Sequence, residues 1–552
     1  MRSHTYALIA LTSALIFSYF DPSACTACTT FVATPGASVD GSTLLASVVD
    51  GYGPANLELF PSVQEPKNPS ASVDLKWPTG SNGVLNRFMN EYQVSIAESD
   101  TATHRSELGN GGRGLMYAQI MVLALQRSKT AREAIAEIDR ISNRYGYGPK
   151  PVVLSIADKN EAWIMEIVGK GETEIGAVWV AARVPDGYVT ALANASRITT
   201  FPMDDPENWL YASDVVEWAV EKGYHDPESG EPFSFRTAYH PKDDKFIRKA
   251  CFGRIWSIYR RIAPSQDFSD AYHRGVEGAE PYPLFIKPDK KVGVLDVMNL
   301  MRDHYEGTKY DMTKGLAAGP FGCPYRFRGM HTSPFGGLGW TIDGKQYCWE
   351  RPISCQHATC AFIAQSRSWL PDALGGVVWF APDDAFTSCY VPVYCGITEI
   401  AEPYTNSDPD RFSWESAWWV SSLVANYTYD RWHRVIPDVV RAQKQEEEKS
   451  LKEQPIMEAQ ALELFQEGED KMRAYLTEYS KQSAHRVFER WRQLAGEIIV
   501  SHNDGWVRMS GGFSLGLGYP AAWYESVVNE RPEYYLISPG KTDHKERSGE
   551  QE

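Results

Sequence analysis

An apolar run from Ala7 to Phe20, preceded by Arg2 and His4 and followed by Ala24, Cys25, Thr26 and Ala27, opens the hydropathy pattern of the chain. It is shorter than the roughly 20 residues a membrane-spanning helix needs, and its layout is that of a secretory leader, so 1–27 is read as a signal peptide removed on export. Two strand-like segments follow, Thr29 to Ala33 and Thr43 to Val49, separated by the turn chemistry of Pro35-Gly36 and Asp40-Gly41-Ser42. A hairpin closing across Pro35 to Gly41 would return Asp50 to the neighbourhood of Cys28. Met89-Asn90-Glu91-Tyr92 leads into an alternating strand, Val94 to Glu98, and Leu115 to Gln126 has a helical pattern. Thr130-Ala131-Arg132-Glu133 is a capping box that opens a second helix towards Tyr145. Pro151 to Ala157 and Ala162 to Val168 form a hairpin around Asp158 to Asn160, and the strands Gly176 to Ala182 and Gly187 to Ala193 end at Asn194. Further on, Leu295 to Asp303 is expected to be helical with Gly307 as its stop. Asp438 to Gln493 is rich in helix formers, with Glu446 to Lys452 as a solvated face. The polar end, Lys541 to Glu552, is expected to be disordered.

These elements make an α+β protein, and length sets its organisation. A chain of 552 residues exceeds the usual size of one core, so one elaborated domain or two are expected. The division is a leader (1–27), a catalytic domain with insertions (28–440), a helical C-terminal region packed on the core (441–540) and the tail (541–552). The formal net charge of −16 excludes nucleic acid and anionic membrane surfaces as natural partners, while a homo-oligomer is left open. No later segment has the length and apolarity of a membrane span. The frequent Trp and Tyr residues between 200 and 440 indicate core packing. Of nine cysteines, Cys25 leaves with the leader, and five crowd between Cys348 and Cys395. In an oxidising compartment a few disulfides with one thiol left over are expected. The Cys355-Gln356-His357-Ala358-Thr359-Cys360 run lacks a paired ligand unit, so no metal and no organic cofactor are expected.

Cutting after Ala27 makes Cys28 the new N-terminus, and this changes the chemistry open to it. A thiol (pKa about 8.5) beside its own α-amino group (about 7.7–8.0) is a nucleophile with a built-in base. Lipidation is a weaker reading, since Cys25 or Pro22 holds the place where a lipid-attachment site has Leu. The Cys25-Thr26-Ala27-Cys28 redox pattern lacks a βαβ context. Asp50, returned by the hairpin, supplies a carboxylate able to orient the ammonium or the thiol.

Cys28-Thr29-Thr30, Asp40-Gly41-Ser42, Asn90-Glu91-Tyr92, Asp158-Lys159-Asn160-Glu161-Ala162-Trp163, Ala193-Asn194 with Arg197-Ile198, and His304-Tyr305-Glu306-Gly307-Thr308 occur in that order along the chain. Together they resemble the dipeptidase family of cysteine N-terminal-nucleophile hydrolases, the secernin-related peptidases. The resemblance implies an αββα sandwich and an exported cysteine-type hydrolase of short peptides that needs no metal or cofactor. It also implies a site of Cys28, Asp50, Asn90, Asn194 and Arg197, with His304 and Glu306 at the substrate. Cys28 would attack through a thioester, and Asn90 and Asn194 would donate to the oxyanion. Arg197 would bind a substrate carboxylate or brace Asp50. One departure stands out. Many members carry an Arg-Asn-Glu-Asp-like run where this chain has Ser47-Val48-Val49-Asp50, so the guanidinium is missing while the carboxylate remains.

Local readings compete with several of these. For His304 the local reading, a favourable place at a helix C-terminus, comes first, and family position alone keeps it near the site. Asn194-Ala195-Ser196 and Asn426-Tyr427-Thr428 are glycosylation sequons, and a glycan at Asn194 would conflict with catalysis. Three other functions remain open: a non-peptide acyl-amide hydrolase of penicillin acylase or bile-salt hydrolase type, a secreted or lipid-anchored binding protein without turnover, and an acyl transferase.

Overall fold

Residues 28–51, 53–60, 84–109, 114–148, 150–243, 245–327, 329, 338–509 and 512–537 are described by the computed structural model. The expected leader, 1–27, and the expected tail, 541–552, lie outside the described residues. Strand β1 (Thr29–Ala33) and β2 (Thr43–Asp50) form the expected hairpin, with Thr29 opposite Val48. The second sheet is built from β3 (Leu59–Phe60), β4 (Val84–Leu85), β5 (Met89–Asn90), β6 (Ser95–Asp100), β7 (Val152–Ala157), β8 (Ala162–Gly169), β9 (Ala177–Arg183) and β11 (Trp209–Tyr211), in spatial order β11-β9-β8-β7-β6-β5-β4-β3. Strand β10 (Val189–Leu192) leaves that sheet and pairs with β1 instead. With β14 (Ala358–Ser366), β15 (Val377–Pro382) and β16 (Val391–Tyr394) it completes the first sheet, in order β10-β1-β2-β14-β15-β16; both sheets are antiparallel. A small hairpin, β12 (Gly339–Ile342) and β13 (Lys345–Cys348), stands apart from both.

The two sheets face each other through β1 and β2 against β6 and β7, and one apolar core that includes Phe31, Leu44, Ala97, Val153 and Phe362 lies between them. Helices α1 (Tyr117–Arg127) and α2 (Ala131–Tyr145) cover the outer face of the second sheet. In α2, Ala131, Ala134, Ile135, Ile138 and Ile141 form the buried stripe that the 3.6-residue period places on one side. Burial contributes roughly 1.5–3 kcal/mol for each such large side chain. Thr130 caps this helix, accepting from Glu133 N at 3.2 Å, but the Glu133 carboxylate reaches Lys129 N at 2.6 Å rather than Thr130 N. The capping box is therefore displaced by one residue on its carboxylate side. Asp158 ties the β7–β8 turn to the same helix start, accepting from Ala131 N at 2.8 Å.

Helices α3 (Gly253–Ile262) and α4 (Val294–Met301) pack on the first sheet. Helix α4 ends at Arg302, so Gly307 is not its stop; Gly307 instead takes the left-handed φ of 76° in the turn that follows. Helices α5 (Ala417–Asp430), α6 (Trp432–Glu467) and α7 (Glu469–Ser501) pack against β15 and β16, and a final helix, α8 (Ala521–Glu530), is exposed. Helix α6 runs unbroken through position 440. Gly468, at φ 145°, separates it from α7, a conformation for which glycine carries no Cβ penalty. The Glu446 to Lys452 run is not uniformly solvated. Glu447 is buried and clamps Arg302, because its place on the helix faces the core. Among the described residues none of the eight cysteines is joined to another in a disulfide, unlike the expectation. Several thiols face polar partners instead: Cys355 lies 3.0 Å from Asp50 Oδ1, and Cys395 donates to Asp372 O at 3.3 Å.

Candidate active site

Antiparallel topology alone collects the chemistry at one end of the first sheet. Strand β1 begins there with Cys28 just before it, β2 ends there at Asp50, β10 ends there two residues short of Asn194, and β14 begins there after Cys355 and His357. The C-terminal end of β6 comes from the facing sheet. Ser99 Oγ donates to Cys28 O at 2.9 Å, and Cys28 Sγ lies 3.2 Å from Glu98 Oε1.

Cys28 is fully buried. Burial first, then the carboxylates of Glu98, Asp50 and Asp100, push its thiol well above the usual range. Glu98 is itself raised, since burial outweighs Arg87 and the thiol contact. Burial also works against ionisation of Asp50, but His357 and Arg351 outweigh it and hold the carboxyl well below the ordinary range. Asp50 is ion-paired with Arg351 and lies 3.4 Å from His357 Nε2. The guanidinium that meets Asp50 thus belongs to residue 351, beside the start of β14, and not to β2.

Asn194 sits at φ 56°, a left-handed conformation that asparagine tolerates better than most residues. Its Nδ2 donates to Asp100 O at 2.8 Å, its backbone N donates to Ser99 Oγ at 2.8 Å, and its Oδ1 accepts from Arg254 Nη2 at 2.7 Å. Buried in this way, the side chain has no room for a glycan, whereas Asn426 is exposed on α5. Arg254 was not legible as a site residue. It follows a π-helical turn over Arg248–Phe252, and Nη1 donates to Thr29 Oγ1 at 2.7 Å and to Cys28 O at 3.3 Å. Cys28, Thr29 and Asn194 are therefore joined through one guanidinium.

The other expected residues lie outside this cluster. Asn90 donates Nδ2 to Leu125 O at 2.7 Å and to Ser128 O at 2.8 Å, while Oδ1 accepts from Tyr92 N and Val94 N. Both amide hydrogens are occupied, so Asn90 staples the β5–β6 turn to the end of α1 and has no donor for an oxyanion. Arg197 gives its guanidinium to Ala191 O, Tyr282 O, Pro283 O and Tyr259 Oη. It braces the 282–284 segment, and the guanidinium beside Asp50 is Arg351's. His304 is enclosed by Tyr325, Phe386 and Trp432, with Nδ1 3.1 Å from Glu306 Oε1. That contact holds the Glu306 carboxyl down at about 2 against the opposing effect of its partial burial. Neither side chain hydrogen-bonds to the Cys28 cluster among the described residues.

Among the described residues, Asp50, Cys355 and His357 have ligand-type atoms all within 4.8 Å of one another. Arg351 already neutralises Asp50, and a cation added there would meet that guanidinium. The trio is accordingly treated as the setting of Asp50. The Cys355-to-Cys360 run holds two of the three residues, and Asp50 joins them only through the β2–β14 pairing. Glu98 had no distinct signal, since its strand also carries Asp100 and two serines, and Arg254 had none.

A family model described as Peptidase family C69 matches residues 27–445 and so begins one residue ahead of Cys28. Probable dipeptidase B of Lactococcus lactis is 24% identical over 504 residues, covering 86% of this chain and 95% of that protein. Probable dipeptidase of Salmonella dublin is 26% identical over 395 residues, covering 67% and 81%. Dipeptidase A of Lactobacillus helveticus is 24% identical over 432 residues, covering 72% and 81%.

Proposed function

Because this chain belongs to peptidase family C69, and is therefore a peptide-bond hydrolase, we propose that it is an exported dipeptidase in which Cys28, freed by removal of residues 1–27, is an N-terminal nucleophile. The observation that carries this reading is the convergence of Cys28, Asp50, Asn194, Glu98 and Arg254 at one end of two facing sheets. Two sheets covered by helices on their outer faces support the N-terminal-nucleophile sandwich, and the names of the relatives support dipeptides as substrates.

The electrostatics give processing a purpose. While residue 28 is joined to Ala27, its nitrogen is an uncharged amide, and three carboxylates with burial keep the thiol protonated. Release of the α-amino group brings a base, and after proton transfer a cation, next to that sulfur. The amine takes the thiol proton and the thiolate attacks the scissile carbonyl. Asn194 Nδ2, with one hydrogen on Asp100 O, directs its second to the developing oxyanion. The C–N bond breaks as the leaving amine takes the proton, and water then hydrolyses the thioester. Asp50, kept ionised by His357 and Arg351, holds the ammonium, and Arg254 fixes Asn194 and the Cys28 carbonyl relative to each other.

The test is N-terminal sequencing and intact mass of the processed protein, followed by assay of a form with an uncleavable residue ahead of Cys28. Turnover is expected to fall by about 10²–10⁴-fold, the usual contribution of general-base assistance. Full activity in the extended form would show that another base serves the thiol.

A further inference from the structure

Glu98 presents an unused acceptor at the nucleophile. It is 4% exposed; Oε1 lies 3.2 Å from Cys28 Sγ, and Oε2 is buried with no hydrogen-bond partner. A buried carboxylate oxygen left without a donor is costly, and its persistence beside a reactive group calls for a ligand that supplies one. Neither of the two chemical roles already assigned supplies it. The register that sets Thr29 opposite Val48 carries the amino end of Cys28 towards Asp50, to which the reading above gives the α-ammonium, on the β2 side. Glu98 meets Cys28 on the sulfur side, where the substrate carbonyl must arrive.

We propose that Glu98 is the specificity residue of this site, its Oε2 accepting from the α-ammonium of the N-terminal residue of a dipeptide. This rests on the Cys28 reading above. The covalent geometry of a peptide makes the reach suitable. A carbonyl carbon poised for attack stands about 3–3.5 Å from the nucleophile, and the α-nitrogen is bonded one carbon away, about 2.5 Å from that carbonyl carbon. A carboxylate whose one oxygen touches the sulfur therefore has its other oxygen within hydrogen-bonding reach of that nitrogen. Burial raises Glu98 against Arg87 and Lys150, and an arriving ammonium acts in the same sense as those two cations, towards the charged form. An N-acylated peptide brings a bulky neutral amide to the same place and leaves the carboxylate unmatched, so the site discriminates by a missing charge.

The experiment assays the processed enzyme, Glu98→Gln and Cys28→Ala on alanyl-alanine and on N-acetyl-alanyl-alanine, with kcat and KM resolved. The parent is expected to favour the free dipeptide. Glu98→Gln should lose about 10- to 100-fold in kcat/KM on it, the range for removing a charged hydrogen-bond partner, while the acetylated peptide changes no more than a few-fold. An equal loss on both substrates would assign Glu98 to the proton or orientation of Cys28 and overturn the proposal, as would no loss on either. If Glu98→Gln does not fold, propionyl-alanine replaces the amine by hydrogen in the unaltered enzyme, and equal kcat/KM for it and alanyl-alanine overturns the proposal. Turnover by Cys28→Ala equal to the parent's would instead remove the nucleophile, a different failure recognisable because Glu98 is intact in that variant.

Discussion

Two buried arginine–carboxylate pairs, in different regions of the molecule, show how the same chemistry becomes structural in one place and reactive in another. Arg302, just after α4, meets Glu447 of α6 in a two-pronged contact, and its remaining donors go to Ala385 O and Ser388 O while Glu447 also accepts from Tyr390 N. The hydrogen bonds of each group go to backbone or to its ion partner, and the result locks the helical region onto the first sheet. Arg351 meets Asp50 at the end of β2, but there the carboxylate is shared with a thiol and an imidazole, and its charge is felt by Cys28. A pair closed on itself adds rigidity. A pair left open to a thiol and a histidine bears on the charge state of the proposed nucleophile.

The sharpest test of that contrast is Cys28→Ala. It should abolish peptide hydrolysis while the melting temperature changes little; parental turnover at equal folded fraction would mean that the Asp50 setting serves nothing at residue 28. Next is Arg351→Met, which leaves Asp50 buried without its guanidinium. A loss of about 3–5 kcal/mol in stability is expected, as for any broken buried pair. A fall in kcat well beyond the loss of folded protein should accompany it. Glu447→Gln should cost a similar 3–5 kcal/mol by denaturant unfolding, yet leave kcat/KM per folded molecule unchanged. A kinetic defect there would erase the distinction between the two pairs.

Acid provides a smaller effect with a definite sign. Asp50 is held below its unfolded value, so its stabilising contribution is complete above pH about 4 and is lost as pH falls through the lower folded value. Asp50→Asn should flatten that part of the stability–pH curve. An unchanged acid limb would show that Arg351 and His357 do not favour the charged form. The smallest effect belongs to a site remote from both pairs: Thr130→Ala should cost about 1 kcal/mol through loss of the α2 cap, with normal turnover.

Local pattern was enough for much of the scaffold. The β1–β2 and β7–β8 hairpins follow from turn residues between strand-like runs, and α2 from Thr130 and its isoleucine stripe, because these depend on residues near in sequence. The placement of Asp50 near Cys28 followed from the first hairpin for the same reason. Strand β10 shows where that reasoning stops. It follows β9 with a short turn, yet pairs with β1 in the other sheet, and that switch delivers Asn194.

Asn90 and Asn194 look alike as motif residues, but one lies within reach of two helix-end carbonyls and the other beside Arg254. By itself the sequence determined the α+β class, the nucleophile candidate, the carboxylate one hairpin away and the family resemblance. Only tertiary structure decided that Arg351 pairs with Asp50, that Arg254 and Glu98 stand at Cys28, and that Arg197 braces a loop. The physical reason is that side-chain roles are fixed by which unsatisfied donors and acceptors meet, and the meeting residues are far apart in the chain, 70 positions for Cys28 and Glu98 and 301 for Asp50 and Arg351.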